Sequence, residues 1–180
     1  VSADPERSTR GLIEPTLARL PDGTILMVMR GSNDKRPELP GYRWFCTSDD
    51  AGVSWTEAKP WTFEDGDKFY SPSSCSQLVS HSSGRIFWIG NIVSENPIGN
   101  LPRYPMVIAE VDTAAGLILR DTLTIIDDRK AEDGDILHMS NFYAREDRIA
   151  GTIKLHMTRH NKGGSRGYQG DCMLYELAID

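Results

Sequence analysis

Glu14, Arg30 and Arg103 are the side chains of this sequence best suited to chemistry: one carboxylate and two guanidinium groups. Two arginines converging on a ligand carboxylate make charge-assisted, often bidentate hydrogen bonds, which a lysine does not copy. Glu14 opens an apolar stretch and is followed by Pro15; Arg30, sixteen residues on, ends another, where a guanidinium can be held firmly. Arg103 stands in Leu-Pro-Arg-Tyr-Pro, and Asn91 and His138 are the further polar candidates for contact with a ligand. An imidazole titrates near neutral pH, which suits His138 to a general base and to a packed side chain alike. Each residue also has a plain structural reading. Glu14 and Arg30 could be an ion pair between neighbouring strands, Arg103 a solvated loop arginine, and Asn91 a strand-end hydrogen-bonder. Asp133 and Asp135, on either side of Gly134, read as turn formers.

The elements that must position these residues are short strands. Pro15 to Leu20, a turn at Pro21-Asp22-Gly23, Ile25 to Met29 and Arg43 to Thr47 form one antiparallel unit. It runs into Ser48-Asp49-Asp50-Ala51-Gly52-Val53-Ser54-Trp55, the most specific motif in the chain. Oxygen-bearing side chains at Ser48 and Asp50 can accept backbone N–H groups within a turn. Gly52 can supply a positive φ, and Trp55 can fold its ring beneath. As a calcium loop it has too few carboxylates in ligand spacing, so no metal is assigned. Weaker copies follow at Ser76–Asp112 with an outer strand from Leu117 to Ile126, and at Asn141–Ile179, giving units of about 12–65, 70–128 and 136–180. Aligning the first turns puts Gly23, Gly84 and Arg148 in register, with periods of 61 and 64 residues. Long insertions fall at 32–42, 92–105 and 158–171, each between second and third strands. Such a period in short antiparallel strands points to propeller blades, and the fold class is all-β. In such a blade the start of strand one, the end of strand two and the start of strand three share an edge. Glu14, Arg30, Asn91, Arg103, His138 and Met139 therefore gather on one face, and the Ser48–Trp55 turn lies on the other.

Composition narrows the function classes. The 180 residues are 39% hydrophobic and 26% charged, as in a globular domain, and the formal net charge is -6 with no lysine/arginine block. Nucleic acid is disfavoured as a partner, because phosphate binding needs a concentrated basic footprint. No apolar run approaches the ~20 residues of a membrane span. Cys46, Cys75 and Cys172 lack Cys-x-x-Cys spacing and read as buried free thiols.

The pattern Glu14-Pro15-Thr16, Pro21-Asp22-Gly23 and Arg30, followed by Ser48–Trp55, resembles the sialidase (neuraminidase) superfamily. Its members are six-bladed β-propellers whose repeat marker is the Asp-box (bacterial neuraminidase repeat), and the chain looks like a C-terminal half of one. The resemblance implies that Glu14 assists a catalytic tyrosine as base. It implies that Arg30 and Arg103 belong to a three-arginine grip on a substrate carboxylate, with no cofactor. The nucleophile slot falls on or beside Met139, with the nearest phenol at Tyr143, so the register assigns no nucleophile. The expected ligand is a terminal acidic sugar. Three blades expose a face to a missing neighbour, so the expected partner is the missing half of the propeller or a second copy in a homodimer. The compartment is left open, a secreted or periplasmic one being the expectation. The alternative readings are a non-catalytic propeller binding glycan or protein through the same rim, and a related lyase or hydrolase using His138 on a uronate-linked sugar.

Overall fold

The computed structural model describes residues 1, 4–164, 167 and 169–179. Three antiparallel sheets follow one another along the chain. The first holds β1 (Ile13–Arg19), β2 (Ile25–Arg30), β3 (Arg43–Ser48) and the two-residue β4 (Lys59–Pro60), in that spatial order. The second holds β5 (Gln77–Ser80), β6 (Ile86–Asn91), β7 (Met106–Asp112) and β8 (Leu117–Ile118), and β9 (Thr124–Asp127) also pairs with β7. The third holds β10 (His138–Asp147), β11 (Thr152–His160) and β12 (Gly170–Ala178). The outer strand expected over Leu117 to Ile126 is split by a 3-10 turn at Arg120–Thr122. There the Thr122 hydroxyl takes the Glu110 N–H at 2.8 Å. Among the described residues no helix is long and apolar enough to cross a membrane.

Alternation along the strands builds the core. In β6 every residue from Ile86 to Asn91 is buried, because both faces of the middle sheet are covered. Successive side chains point opposite ways. Ile86 and Trp88 pack with Leu26, Val28 and Trp61 toward the first sheet. Phe87 and Ile89 pack with Met139, Leu155 and Met157 toward the third. Trp61, Phe69 and Trp88 meet edge-on or tilted, with centroids 5.6 to 6.3 Å apart, and the Trp61 indole N–H donates to Gly116 O at 2.7 Å. The innermost strands are then tied to each other. The Leu78 N–H donates to Thr16 Oγ1 at 2.8 Å, and the Gln77 amide makes two bonds to the backbone of Ala144.

The two outer faces differ. That of the first sheet is covered in part by the chain's own lead-in: Leu12 packs on the Met29–Trp44–Cys46 cluster, and the Arg7 guanidinium lies 4.7 Å over the Trp44 ring. A bare face was expected there; residues 4–12 cover part of it, and Leu17, in register with Met27 and Cys46 on that face, stays 49% exposed. On the third sheet the outward residues stay open, Tyr143 at 62% and Leu174 at 56% exposure, with His156 between them in register. Cys172 is exposed on this strand and Cys75 is half-buried, so only Cys46 is the buried thiol expected.

The turns locate the register. Gly23 and Gly84 sit at φ +95 and +86 and close their hairpins by donating to Leu20 O and His81 O at 3.0 Å. In the third sheet this role belongs to Gly151, at φ +67, whose N–H reaches Asp147 O at 2.8 Å; Arg148 is not the equivalent residue. β11 also runs on to His160, so the insertion expected at 158–171 shrinks to the loop between His160 and Gly170.

In the Ser48–Trp55 turn, Ser48 Oγ accepts the Gly52 N–H at 2.8 Å and Asp50 accepts the Ser54 N–H at 2.8 Å. Trp55 Nε1 donates to Gly52 O at 3.0 Å, with Gly52 at φ +90. Hydrogen bonds from Ser54 lead those that pull the Asp50 pKa down to about 2. A carboxyl lowered in the folded state stabilises above its unfolded value of about 4 and loses that contribution as pH falls toward 2. Asp50→Asn should therefore melt below the wild type at pH 6, with the gap closing between pH 4 and 2 when melting is followed by circular dichroism.

Candidate functional site

Glu14 sits in a β-bulge. Register passes from Ile13↔Arg30 to Thr16↔Val28, and Glu14 adopts φ +53. A non-glycine residue in that region is uncommon, and the residue before a proline is ordinarily extended. Bulges re-aim side chains; here the Glu14 carboxylate is turned onto Arg30, with Oε2 2.8 Å from Nε. The glutamate side chain keeps 45% of its surface while Arg30 keeps 7%. Arg30 also donates through Nη1 to the Ser73 hydroxyl, while its Nε, close to Glu14 as an ion pair, makes no hydrogen bond among the described residues.

Ser73 belongs to a serine-rich segment, 71–76, that runs across the mouth just before β5. Its hydroxyl donates to Gly31 O at 2.8 Å and its carbonyl accepts Arg103 Nη2 at 3.0 Å. Glu14, Arg30 and Arg103 are thus brought together around one residue. Arg103 reaches this point because the first two insertions are stapled to each other. Asn33 donates to Pro97 O at 2.7 Å and accepts the Gly99 N–H at 2.8 Å, while Asn96 accepts the Gly41 N–H at 2.8 Å. Gly99 O in turn takes the Ser73 N–H at 2.7 Å. His138 stands beside Arg103 in a parallel bridge, and Arg103 O accepts the Met139 N–H at 3.0 Å.

Other candidates are placed differently. Asn91 is wholly buried, its amide donating to Pro105 O at 2.9 Å and Met139 O at 3.2 Å. It is a strut behind the mouth, which corrects its assignment as a ligand contact. Asp133 is no simple turn former. Buried with Arg159, it takes that guanidinium and the Lys130 N–H, the latter at 2.8 Å. Arg159 also binds Asp127 at 2.5 Å, and Asp127 accepts the Tyr175 hydroxyl. Burial, and then the hydrogen bond to Asp127, push the Tyr175 phenol up to about 12. Asp135 is exposed and pairs with Arg129 at 2.6 Å. Met139, on or beside which the nucleophile was expected, is fully buried. The bulge of β10 falls between Ser140 and Tyr143, with Asn141 at φ +57, and Asn141 is the counterpart of Glu14. Tyr143 faces outward.

Two residues escape a reading of the sequence. Arg43 opens β3 opposite Arg30 and is entirely buried. Burial draws its pKa down to about 10. Cys75 links that segment to the third sheet, its Sγ accepting the Asn141 N–H at 3.0 Å. The available signal was the run Ser71-Pro72-Ser73-Ser74-Cys75-Ser76, too rich in hydroxyls for an ordinary strand lead-in. The mouth therefore holds three guanidinium groups and one half-exposed carboxylate, an arrangement suited to an anionic ligand.

No protein-family model and no curated relative matches the chain. Among solved structures it is similar to the NanB sialidase from Streptococcus pneumoniae, with TM-score 0.59 and 16% identity over 92% of this chain and 23% of that one. It is similar to a GH43_12 protein retrieved from capybara gut metagenome, with TM-score 0.58 and 13% identity over 92% and 28%. It is also similar to the endo-1,5-alpha-L-arabinanase from Thermotoga petrophila RKU-1, with TM-score 0.56 and 14% identity over 96% and 40%. These likenesses are of fold: the chain is a partial β-propeller of the kind found in sialidases and GH43 glycosidases, and it spans less than half of each of those chains.

The backbone at Glu14 carries its own test. Glycine enters positive φ without the side-chain clash that alanine meets there. Both substitutions remove the ion pair, so Glu14→Gly should be more stable than Glu14→Ala by about 1 kcal/mol in urea unfolding.

Proposed function

We propose that this chain is part of a sialidase-like glycoside hydrolase acting on a terminal acidic sugar. Glu14 serves as base or base-assistant, and Arg30 with Arg103 holds the sugar carboxylate. The observation that carries this reading is Glu14 itself. It is an acid kept in a costly backbone conformation, half-exposed, and locked to a buried guanidinium at the mouth of a propeller. Strained backbone of this kind clusters at functional sites. Sialidases stand among the structural neighbours, and a carboxylate is what distinguishes their sugar from the neutral sugars of an arabinanase. The Ser48–Trp55 turn is read as an Asp-box, a structural marker on the face away from the mouth.

One observation favours a second reading, a non-catalytic glycan-binding propeller. Asn141 replaces an acid at the counterpart of Glu14, and Tyr143, the nearest phenol in sequence, faces outward at 62% exposure. Hydrolysis of sialosides and uronides, with parallel binding on a glycan array, separates the two. Glu14→Gln should lower turnover by about a hundredfold or more while leaving binding in place. Binding by the wild type without turnover selects the second reading, and unchanged turnover in Glu14→Gln removes that residue from the mechanism.

The three sheets are read as half of a six-bladed ring, completed by another part of the parent chain or by a second copy. The open Tyr143–Leu174 face of the third sheet supports this reading. Light scattering after size exclusion should give the 180-residue chain twice the mass of a monomer; a well-behaved monomer would contradict the half-ring.

A further inference from the structure

Arg43 is the charged group that the proposed site leaves unused. Its side chain has no exposed surface, and among the described residues no carboxylate pairs with it. Every hydrogen bond it donates goes to the segment 71–76. Nε and Nη2 reach Ser71 Oγ at 3.2 and 2.9 Å. Nη1 reaches Ser74 O at 2.8 Å and Ser76 Oγ at 3.4 Å, and Nη2 reaches Ser74 Oγ at 3.3 Å. The Trp88 ring lies 5.6 Å from the guanidinium carbon and helps cover it. A desolvated charge without a counter-ion is expensive, and an apolar side chain of similar volume is often neutral or better for stability. The arginine is explained by what its fork does. Five donors in a fixed plane bind several acceptors at once, and neither a lysine nor an apolar residue does the same.

The consequence lies inside the segment. Ser73, between the clamped Ser71 and Ser74, is the residue that gives its hydroxyl to Arg30 and its carbonyl to Arg103. We propose that Arg43 is the positioning residue of the mouth, clamping residues 71–76 so that Ser73 holds Arg30 and Arg103 at one fixed spacing. Arg43 touches no ligand; it acts through the serine segment. The identity of the ligand rests on the acidic-sugar reading above, whereas the clamp does not.

Cys75 allows the two to be tested apart. It lies in the clamped segment, half-buried, and reports the position of that segment without any ligand. Alkylation by iodoacetamide is followed by peptide mass spectrometry, so that Cys46 and Cys172 are read separately. In Arg43→Met the alkylation of Cys75 should speed up about tenfold through local opening, with the melting temperature kept within about 4 °C. N-acetylneuraminic acid, measured by calorimetry, should bind that variant about tenfold more weakly. Arg43→Lys, which keeps the charge and part of the hydrogen bonding, should fall between wild type and Arg43→Met on both readouts. Unchanged or slower alkylation of Cys75 in folded Arg43→Met, with binding unchanged, overturns the proposal, because loss of the nearby positive charge alone would slow that thiol and not speed it. If Arg43→Met does not fold, Ser71→Ala, which removes the acceptor of two of the bonds, takes its place. Unchanged Cys75 reactivity in folded Ser71→Ala then overturns the clamp. Faster Cys75 alkylation in a protein whose wild type binds no N-acetylneuraminic acid supports the clamp and overturns the acidic-sugar reading alone.

Discussion

A buried guanidinium needs acceptors that are themselves fixed, and at the mouth of this propeller one serine-rich segment supplies them. Residues 71–76 lie where the edges of all three sheets meet, so whatever fixes this segment fixes the site. Ser71 binds the end of β6 through Asn91 O at 2.7 Å, and Ser73 binds the residue after β2 through Gly31 O and the second insertion through Gly99 O. Arg43 closes the arrangement from β3. Hydroxyls and carbonyls satisfy the hydrogen bonds of the Arg43 guanidinium without cancelling its charge, whereas Arg30 is paired with the Glu14 carboxylate.

That arrangement needs stiff support, and the middle sheet provides it. Because β6 is buried on both faces, each of its side chains from Ile86 to Ile89 belongs to one of two cores, and a shift of one residue would exchange them. The aromatic cluster of Trp61, Phe69 and Trp88 binds it to the first sheet, and Met139, Leu155 and Met157 bind it to the third. On this base the first strands of the outer sheets each tolerate a bulge with a non-glycine residue at positive φ, Glu14 in β1 and Asn141 in β10. The cost of such conformations is of order 1–3 kcal/mol each and persists only when the surroundings over-determine them. Both bulges lie at the mouth end of their strands, where side chains are aimed across the centre.

The fold is shared with sialidases and with enzymes of arabinose and xylose polymers, so it does not by itself choose a substrate. What the mouth of this chain presents is Glu14 ion-paired to Arg30, with Arg103 and the buried Arg43 beside them. The opposite face, with its tight Ser48–Trp55 turn, is organised by hydrogen bonds within its own eight residues and has no part in that choice.

Local chemistry was legible in the sequence. Strand alternation declared an all-β chain, Gly23 and Gly84 marked hairpins that need a positive φ, and the spacing of Glu14 and Arg30 set both at the same end of one hairpin. These follow from interactions between residues close in the chain, which a sequence displays directly. The tertiary structure alone decided the rest. It set the closing glycine of the third hairpin at Gly151, three residues past Arg148 and after a turn one residue longer, so that Asn141 rather than Met139 answers to Glu14. It folded Arg7 and Leu12 over a face that strand pattern would leave bare, and withdrew Asn91 into the interior. It also buried Arg43, a residue that reads in sequence like any surface arginine. Whether a charge is solvated or enclosed depends on partners tens of residues away, Ser71 and Ser74 here, and no local pattern records them.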